Sequence, residues 1–70
     1  MVADKLQAVV RELIAVRKAW NMSQDDLADL IGVKPGTLAK YETGLYQPRL
    51  SQLIAWANAL GYDLTIRQRP

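Results

Sequence analysis

The sequence predicts an all-α domain of four helices that ends in one short β-strand. Three observations carry that prediction. Apolar residues recur at three- and four-residue steps near both ends of the chain, the period of one helix face. Asn21, Gly32, Gly44 and Gly61 stand where each such stretch stops, and these residue types accept the left-handed backbone that closes a helix. From Tyr62 onward the apolar period shortens to two, the mark of a strand.

The elements follow in order. Over residues 4–19, Leu6, Val9, Val10, Leu13 and Val16 define an inward face, and Lys5, Arg11, Glu12 and Lys18 an outward one. Asn21 closes this helix. Ser23 is placed to cap a second one, residues 24–31, by accepting a bond from a free backbone N–H near Asp26. Asp25 and Asp26 fall in its first turn, where the helix dipole favours negative charge, so the acidic cluster has a sufficient structural role.

Gly32 permits a sharp turn, and a third helix begins almost at once. Pro35 lies in its first turn, where a missing N–H costs nothing, while Leu38 and Tyr41 face inward. Gly44 ends it, and residues 45–49 form a loop stiffened by Pro48. Ser51 is expected to cap a fourth helix running to Leu60, with Leu50, Leu53, Ile54, Trp56, Ala57 and Leu60 as its apolar set. Beyond Gly61, Tyr62, Leu64 and Ile66 alternate with Asp63, Thr65 and Arg67, which predicts a strand over residues 62–68 with no partner in its own chain.

Composition narrows the function. The 70 residues suit one domain at the lower margin for a self-sufficient core, so oligomerisation is expected to add stability. Half the residues are apolar (50%) and 23% are charged, the balance of a chain that folds. No apolar run approaches the roughly 18 residues a membrane span needs, and residues 1–6 lack a secretory pattern, so a cytoplasmic protein is expected. With no cysteine and no histidine there are no disulfides, thiolate nucleophiles or imidazole bases, and most zinc sites are excluded.

Helical spacing gives Asp25, Asp26 and Asp29 no recognisable metal-ligand geometry. Binding without a cofactor is therefore expected over catalysis, and no small-molecule pocket is evident. The net charge of +2 is modest, but Lys34, Lys40 and Arg49 follow the acidic stretch and can make one face basic.

The spacing within residues 23–43 points to the function. Gln24, Ala28, Gly32, Val33, Leu38 and Tyr41 occupy the first, fifth, ninth, tenth, fifteenth and eighteenth places of a helix-turn-helix. Ala28 must be small where the helices cross, Gly32 makes the turn, and Val33 with Leu38 fills the wedge between them. Such a unit holds its second helix outward, where it fits the major groove of double-stranded DNA.

The stretch from Met22 through Gln24, Leu27, Ala28 and Ile31 to Val33 resembles the core of the Cro/C1-type (Xre-like) family of prokaryotic and phage regulators. So do the stretch from Gly36 through Tyr41-Glu42-Thr43-Gly44 and the Pro48-Arg49-Leu50 triplet, and the resemblance covers about residues 10–61. It implies a lambda-repressor-like four-helix fold and sequence-specific DNA binding. It also implies an ion pair between Arg17 and Glu42 that holds the recognition helix, and a phosphate contact by Gln24 beside a helix N-terminus.

The recognition helix departs from the family's commoner pattern. Pro35 and Gly36 stand where relatives carry long polar side chains, so base reading must move elsewhere. Lys34 replaces the usual Ser or Thr cap and places a cation beside the groove. Lys40 matches a base-contacting position and either donates to guanine O6 or N7 or serves only as a phosphate contact. Thr37 reaches a phosphate or a thymine methyl. Arg49 approaches the backbone or a narrow A·T-rich minor groove. Thr43 is a weaker phosphate candidate, and Tyr46 a candidate for stacking or for a phosphate contact through its hydroxyl.

One such module discriminates poorly, because each wrong base pair costs only about 1–3 kcal/mol. A homodimer doubles the reading. Tyr62, Leu64, Thr65 and Ile66 are its expected contacts, through antiparallel pairing of the terminal strand with its copy, and packing of the fourth helix is the alternative. The expected function is a repressor or autorepressor on an inverted-repeat operator. The competing reading is an antitoxin that binds a protein toxin while repressing its own operon, for which the apolar Trp20 and Leu30 would be surface contacts; otherwise they cover the edge of the core.

Overall fold

The computed structural model describes residues 2–65. Four helices follow one another: α1 Val2–Ala19, α2 Gln24–Ile31, α3 Pro35–Thr43 and α4 Leu50–Ala59. Helix α2 packs against both α3 and α4, and α1 closes over α3. The core at their meeting point consists of Val10, Leu13, Leu27, Ala28, Leu38, Leu53, Trp56, Ala57 and Leu60. Burying each large apolar side chain among these contributes about 1.5–3 kcal/mol.

Local chemistry sets the boundaries of α2 and α3. Ser23 lies in extended backbone, and its Oγ accepts a hydrogen bond from the Asp26 N–H at 3.0 Å. Gly32 has φ of 75°, and its N–H donates to the Ala28 carbonyl, so the chain turns within one residue. A side chain at that φ would be strained. Ala28 itself is fully buried at the crossing of α2 and α3, as the small residue there requires.

Two expectations need correction. Ser51 does not cap α4: the helix starts at Leu50, the N-cap is Arg49, and no side chain bonds the free N–H groups. The apolar set of α4 is also narrower than its periodicity suggested. Leu53, Trp56, Ala57 and Leu60 form one buried stripe, but Leu50 is 68% and Ile54 40% exposed. Leu50 stands at the first turn, beyond the edge of the core, and Ile54 on the flank of the stripe.

Residues 62–65, expected to begin a strand, have no regular secondary structure. The Tyr62 N–H donates to the Ala57 carbonyl at 2.8 Å and the Gly61 N–H to that of Asn58 at 3.0 Å, so this segment starts by completing the end of α4. Ile66 and the rest of the expected strand lie outside the described residues. Among the described residues, no helix is long and apolar enough to cross a membrane.

Candidate nucleic-acid interface

The α2–turn–α3 unit is a wedge whose inner side is dry. Leu27, Ala28 and Leu38 are fully buried, and Val33 and Tyr41 pack against them. The outer side of α3 is therefore fixed in direction. Lys34, Pro35, Gly36, Lys40 and Thr43 are exposed there, and Thr37 and Ala39 are half-buried. No atom lies within 4 Å of where a Cβ on Gly36 would stand, so the backbone of the first turn is open to approach.

The helix N-termini differ in a way that matters for anions. Ser23 caps α2 through its side chain, whereas the N-cap residues of α3 and α4 are Lys34 and Arg49, and neither makes a side-chain cap bond. In α3, Pro35 has no N–H and the Thr37 N–H bonds the Lys34 carbonyl at 2.9 Å, which leaves the Gly36 N–H; this donor and those of the first turn of α4 each have a cation at the N-cap in place of a competing oxygen. Lys34 and Arg49 are both exposed, and this pairing of free N–H groups with positive charge suits a phosphate oxygen.

A buried brace holds α3 from behind. Arg17 lies in phase with Leu6, Val10 and Leu13 on the inward face of α1 and is only 8% exposed. Its Nε donates to Glu42 Oε2 at 2.8 Å and its Nη2 to Glu42 Oε1 at 2.9 Å, a bidentate pair. Its Nη1 donates to the Met22 carbonyl at 2.7 Å, which ties the α1–α2 connection to the same centre. The sequence-expected pairing of Arg17 and Glu42 is thus formed.

Gln24 enters this network, which sequence reasoning missed. Its Nε2 donates to Glu42 Oε1 at 2.9 Å, linking the first residue of α2 to the end of α3. The expected phosphate anchor is therefore oriented from within, with part of its amide engaged. The link depends on where the closed wedge brings the start of one helix against the end of the next, which the spacing of residues does not encode.

A second unforeseen relation joins two candidate contacts. The Lys40 Nζ lies 4.8 Å from the centroid of the Tyr46 ring. The Tyr46 N–H also donates to the Lys40 carbonyl at 3.2 Å, and Thr43 Oγ1 donates to the same oxygen at 3.3 Å. Thr43 thereby has its hydroxyl proton engaged inside the protein.

Outside α3, Trp20 is 57% and Leu30 61% exposed. The Trp20 ring lies along the Gly61 turn, 3.7 Å from where a Cβ would stand. Close by, Val9, Leu13 and Val16 of α1 with Ala57, Tyr62 and Leu64 line an open groove of about 420 Å³. Among the described residues, no three acidic side chains converge as metal ligands would.

A trihelical wedge that presents α3 outward over an internal brace defines a helix-turn-helix protein. A helix-turn-helix family model matches residues 13–66. An uncharacterized HTH-type transcriptional regulator of Haemophilus influenzae is 37% identical over 59 residues, covering 84% of this chain and 60% of the relative. Antitoxin HigA1 of Mycobacterium tuberculosis is 34% identical over 64 residues, covering 91% of this chain and 43% of the relative. This chain belongs to the Cro/C1-type helix-turn-helix family of DNA-binding transcription regulators. It spans 43–60% of the length of these curated relatives. No solved structure matches it.

Proposed function

We propose that this protein is a dimeric, cytoplasmic repressor that inserts α3 into the major groove of an inverted-repeat operator. The observation that carries this reading is the exposed, cation-rimmed face of α3, held at a fixed angle by the Arg17–Glu42–Gln24 network. Lys40 and Thr37 are the proposed base-facing residues. Lys34, Arg49 and Gln24 are proposed to hold phosphates, with Tyr46 at the rim; Thr43 would join them only by turning its hydroxyl away from the Lys40 carbonyl. Pro35 and Gly36 contribute no side-chain hydrogen bond, so the backbone of the first turn approaches the DNA there.

Two-fold symmetry would place the recognition helices about 34 Å apart, in successive major grooves. The proposed dimer contacts are Tyr62, Leu64, Thr65 and Ile66. The exposure of Tyr62 and Leu64 beside the apolar groove supports an interface in that region. Selection of bound duplexes from a random pool, followed by salt titration and sedimentation, tests the reading. It predicts a palindromic consensus and an affinity falling with salt by about 0.9 log unit per log unit for each phosphate contact. A flat selection would overturn it.

The antitoxin reading has specific support as well. One relative bears that name, and Trp20 and Leu30 offer exposed apolar surface that DNA binding does not use. Here the protein would bind a toxin and DNA with different faces. Co-purification with the product of a neighbouring gene, lost in the Trp20→Ser variant, is the expected result.

A further inference from the structure

We infer that Tyr46 is a positioning residue for recognition: its ring holds the Lys40 ammonium at one place on the face of α3, so that Lys40 discriminates a base pair. This rests on the DNA-reading role of α3 proposed above. A lysine is a strongly hydrated point charge on a flexible four-carbon stem. Free on a helix surface, it would follow whichever phosphate is nearest and give attraction without sequence preference.

Four features of this chain favour one position for Lys40. The Nζ lies 4.8 Å from the Tyr46 ring centroid, within the range where an ammonium is drawn to the face of an aromatic ring. The backbone that carries the ring is tied to the same helix, because the Tyr46 N–H is bonded to the Lys40 carbonyl at 3.2 Å. The turn that brings Tyr46 back over the helix is set by Gly44, whose φ of 84° only glycine adopts readily. Lastly, Glu42 is engaged by Arg17 and Gln24, and Lys40 makes no salt bridge among the described residues.

The pair is also in the right place. Lys40 is exposed and Tyr46 is 50% exposed, so the contact lies on the surface that would meet DNA. An ammonium has three donors, and those not facing the ring stay free for acceptors on the DNA. Guanine offers two acceptors there, O6 and N7. The ring thus converts a mobile charge into a directed donor, and the phenolic hydroxyl is not needed.

The test uses the selected operator, a set of its single base-pair variants and an unrelated duplex. Binding is measured for the full chain and for Lys40→Ala, Tyr46→Phe, Tyr46→Leu and Lys40→Ala/Tyr46→Leu. Tyr46→Leu should lower discrimination at the Lys40-dependent base pair about two- to fivefold while the salt slope stays that of the parent. Tyr46→Phe should retain the discrimination, and Tyr46→Leu should add nothing to Lys40→Ala. Loss in Tyr46→Phe equal to that in Tyr46→Leu, a uniform loss across sequences in either Tyr46→Leu or Lys40→Ala, or additivity in the double variant would overturn the inference.

A readout without DNA separates the two layers. In the free protein, the Lys40 ε-methylene protons should be shifted upfield by the ring current, retaining the shift in Tyr46→Phe and losing it in Tyr46→Leu. No shift in the parent protein overturns the positioning even if DNA is bound specifically. A shift together with a flat selection overturns the DNA reading, and the recognition role of Tyr46 with it.

Discussion

Arg17 and Glu42 stand 25 residues apart in sequence and meet through two parallel hydrogen bonds of 2.8 and 2.9 Å, with side chains only 9% and 7% exposed. Such a pair gains little net stability from being charged, since desolvation offsets most of the attraction. Its loss is another matter. Arg17→Ala or Glu42→Ala leaves a buried charge alone and should cost about 3–5 kcal/mol, a large share of the roughly 5–15 kcal/mol such a domain has. The double replacement Arg17→Met/Glu42→Leu also takes the partner from Gln24 and from the Met22 carbonyl, so it should cost about 1–3 kcal/mol in urea unfolding, less than either single replacement. If the double variant were as unstable as the single ones, the pair would be contributing stability in its own right.

Gln24 tests the same centre from the other helix. Gln24→Ala removes a hydrogen bond to a charged acceptor, and a loss of about 1.5–3 kcal/mol is expected. Gln24→Glu should be worse at neutral pH, because it sets a second carboxylate against Glu42. The sign of the pH dependence follows from this. The neighbouring negative charge raises the folded-state pKa of the introduced carboxyl above its unfolded value, so the deficit of this variant should shrink as pH falls through that range. Thermal melts between neutral and mildly acidic pH would show this for Gln24→Glu and not for Gln24→Ala.

How much of this was legible in the sequence varies with the physics behind each feature. The four helices were, because their stop signals are local: Ser23, Gly32 and Gly44 act within one turn. The stripe on α1 was legible too, but it hid the fact that Arg17 occupies its next position inward, and only resemblance supplied the partner Glu42. The start of α4 was misjudged since Ser51 is a good cap by type, whereas the chain direction after Pro48 had already set Arg49 in extended backbone. Links such as Gln24 to Glu42 and Lys40 to Tyr46 depend on where the wedge and the loop bring side chains, which no periodicity encodes.

The core contains a polar group with no local reason to be there. Trp56 is fully buried, and its Nε1–H has no hydrogen-bond partner among the described residues. A buried unsatisfied donor costs about 1–3 kcal/mol, which Trp56→Phe would recover while losing contacts of the larger ring. The two effects oppose each other, and Trp56→Phe should change stability by less than about 1.5 kcal/mol. Trp56→Ala removes the same donor but leaves a large cavity, and should cost about 3–5 kcal/mol. Chemical denaturation of both variants checks the contrast; a Trp56→Phe loss close to that of Trp56→Ala would mean that the N–H is satisfied in solution.

Arg49 is the position where stability and DNA binding should part. Its backbone, φ −71° and ψ 159°, nearly matches that of Ser23, φ −76° and ψ 161°, which does cap its helix. A serine at position 49 would therefore find the capping geometry already made and satisfy an N–H that Arg49 leaves free. Arg49→Ser should stabilise the fold by about 1 kcal/mol, raising the melting temperature by roughly 4–8 °C. The same change removes the cation proposed to meet the DNA backbone or minor groove. Affinity should fall, and the salt slope should shrink by about 1 for each protomer bound. Differential scanning fluorimetry and a salt series on one operator measure the two effects independently. Opposite movement of the two would show that the chain gives up a helix cap to keep a charge at the groove; a lower melting temperature or an unchanged salt slope would remove Arg49 from the interface.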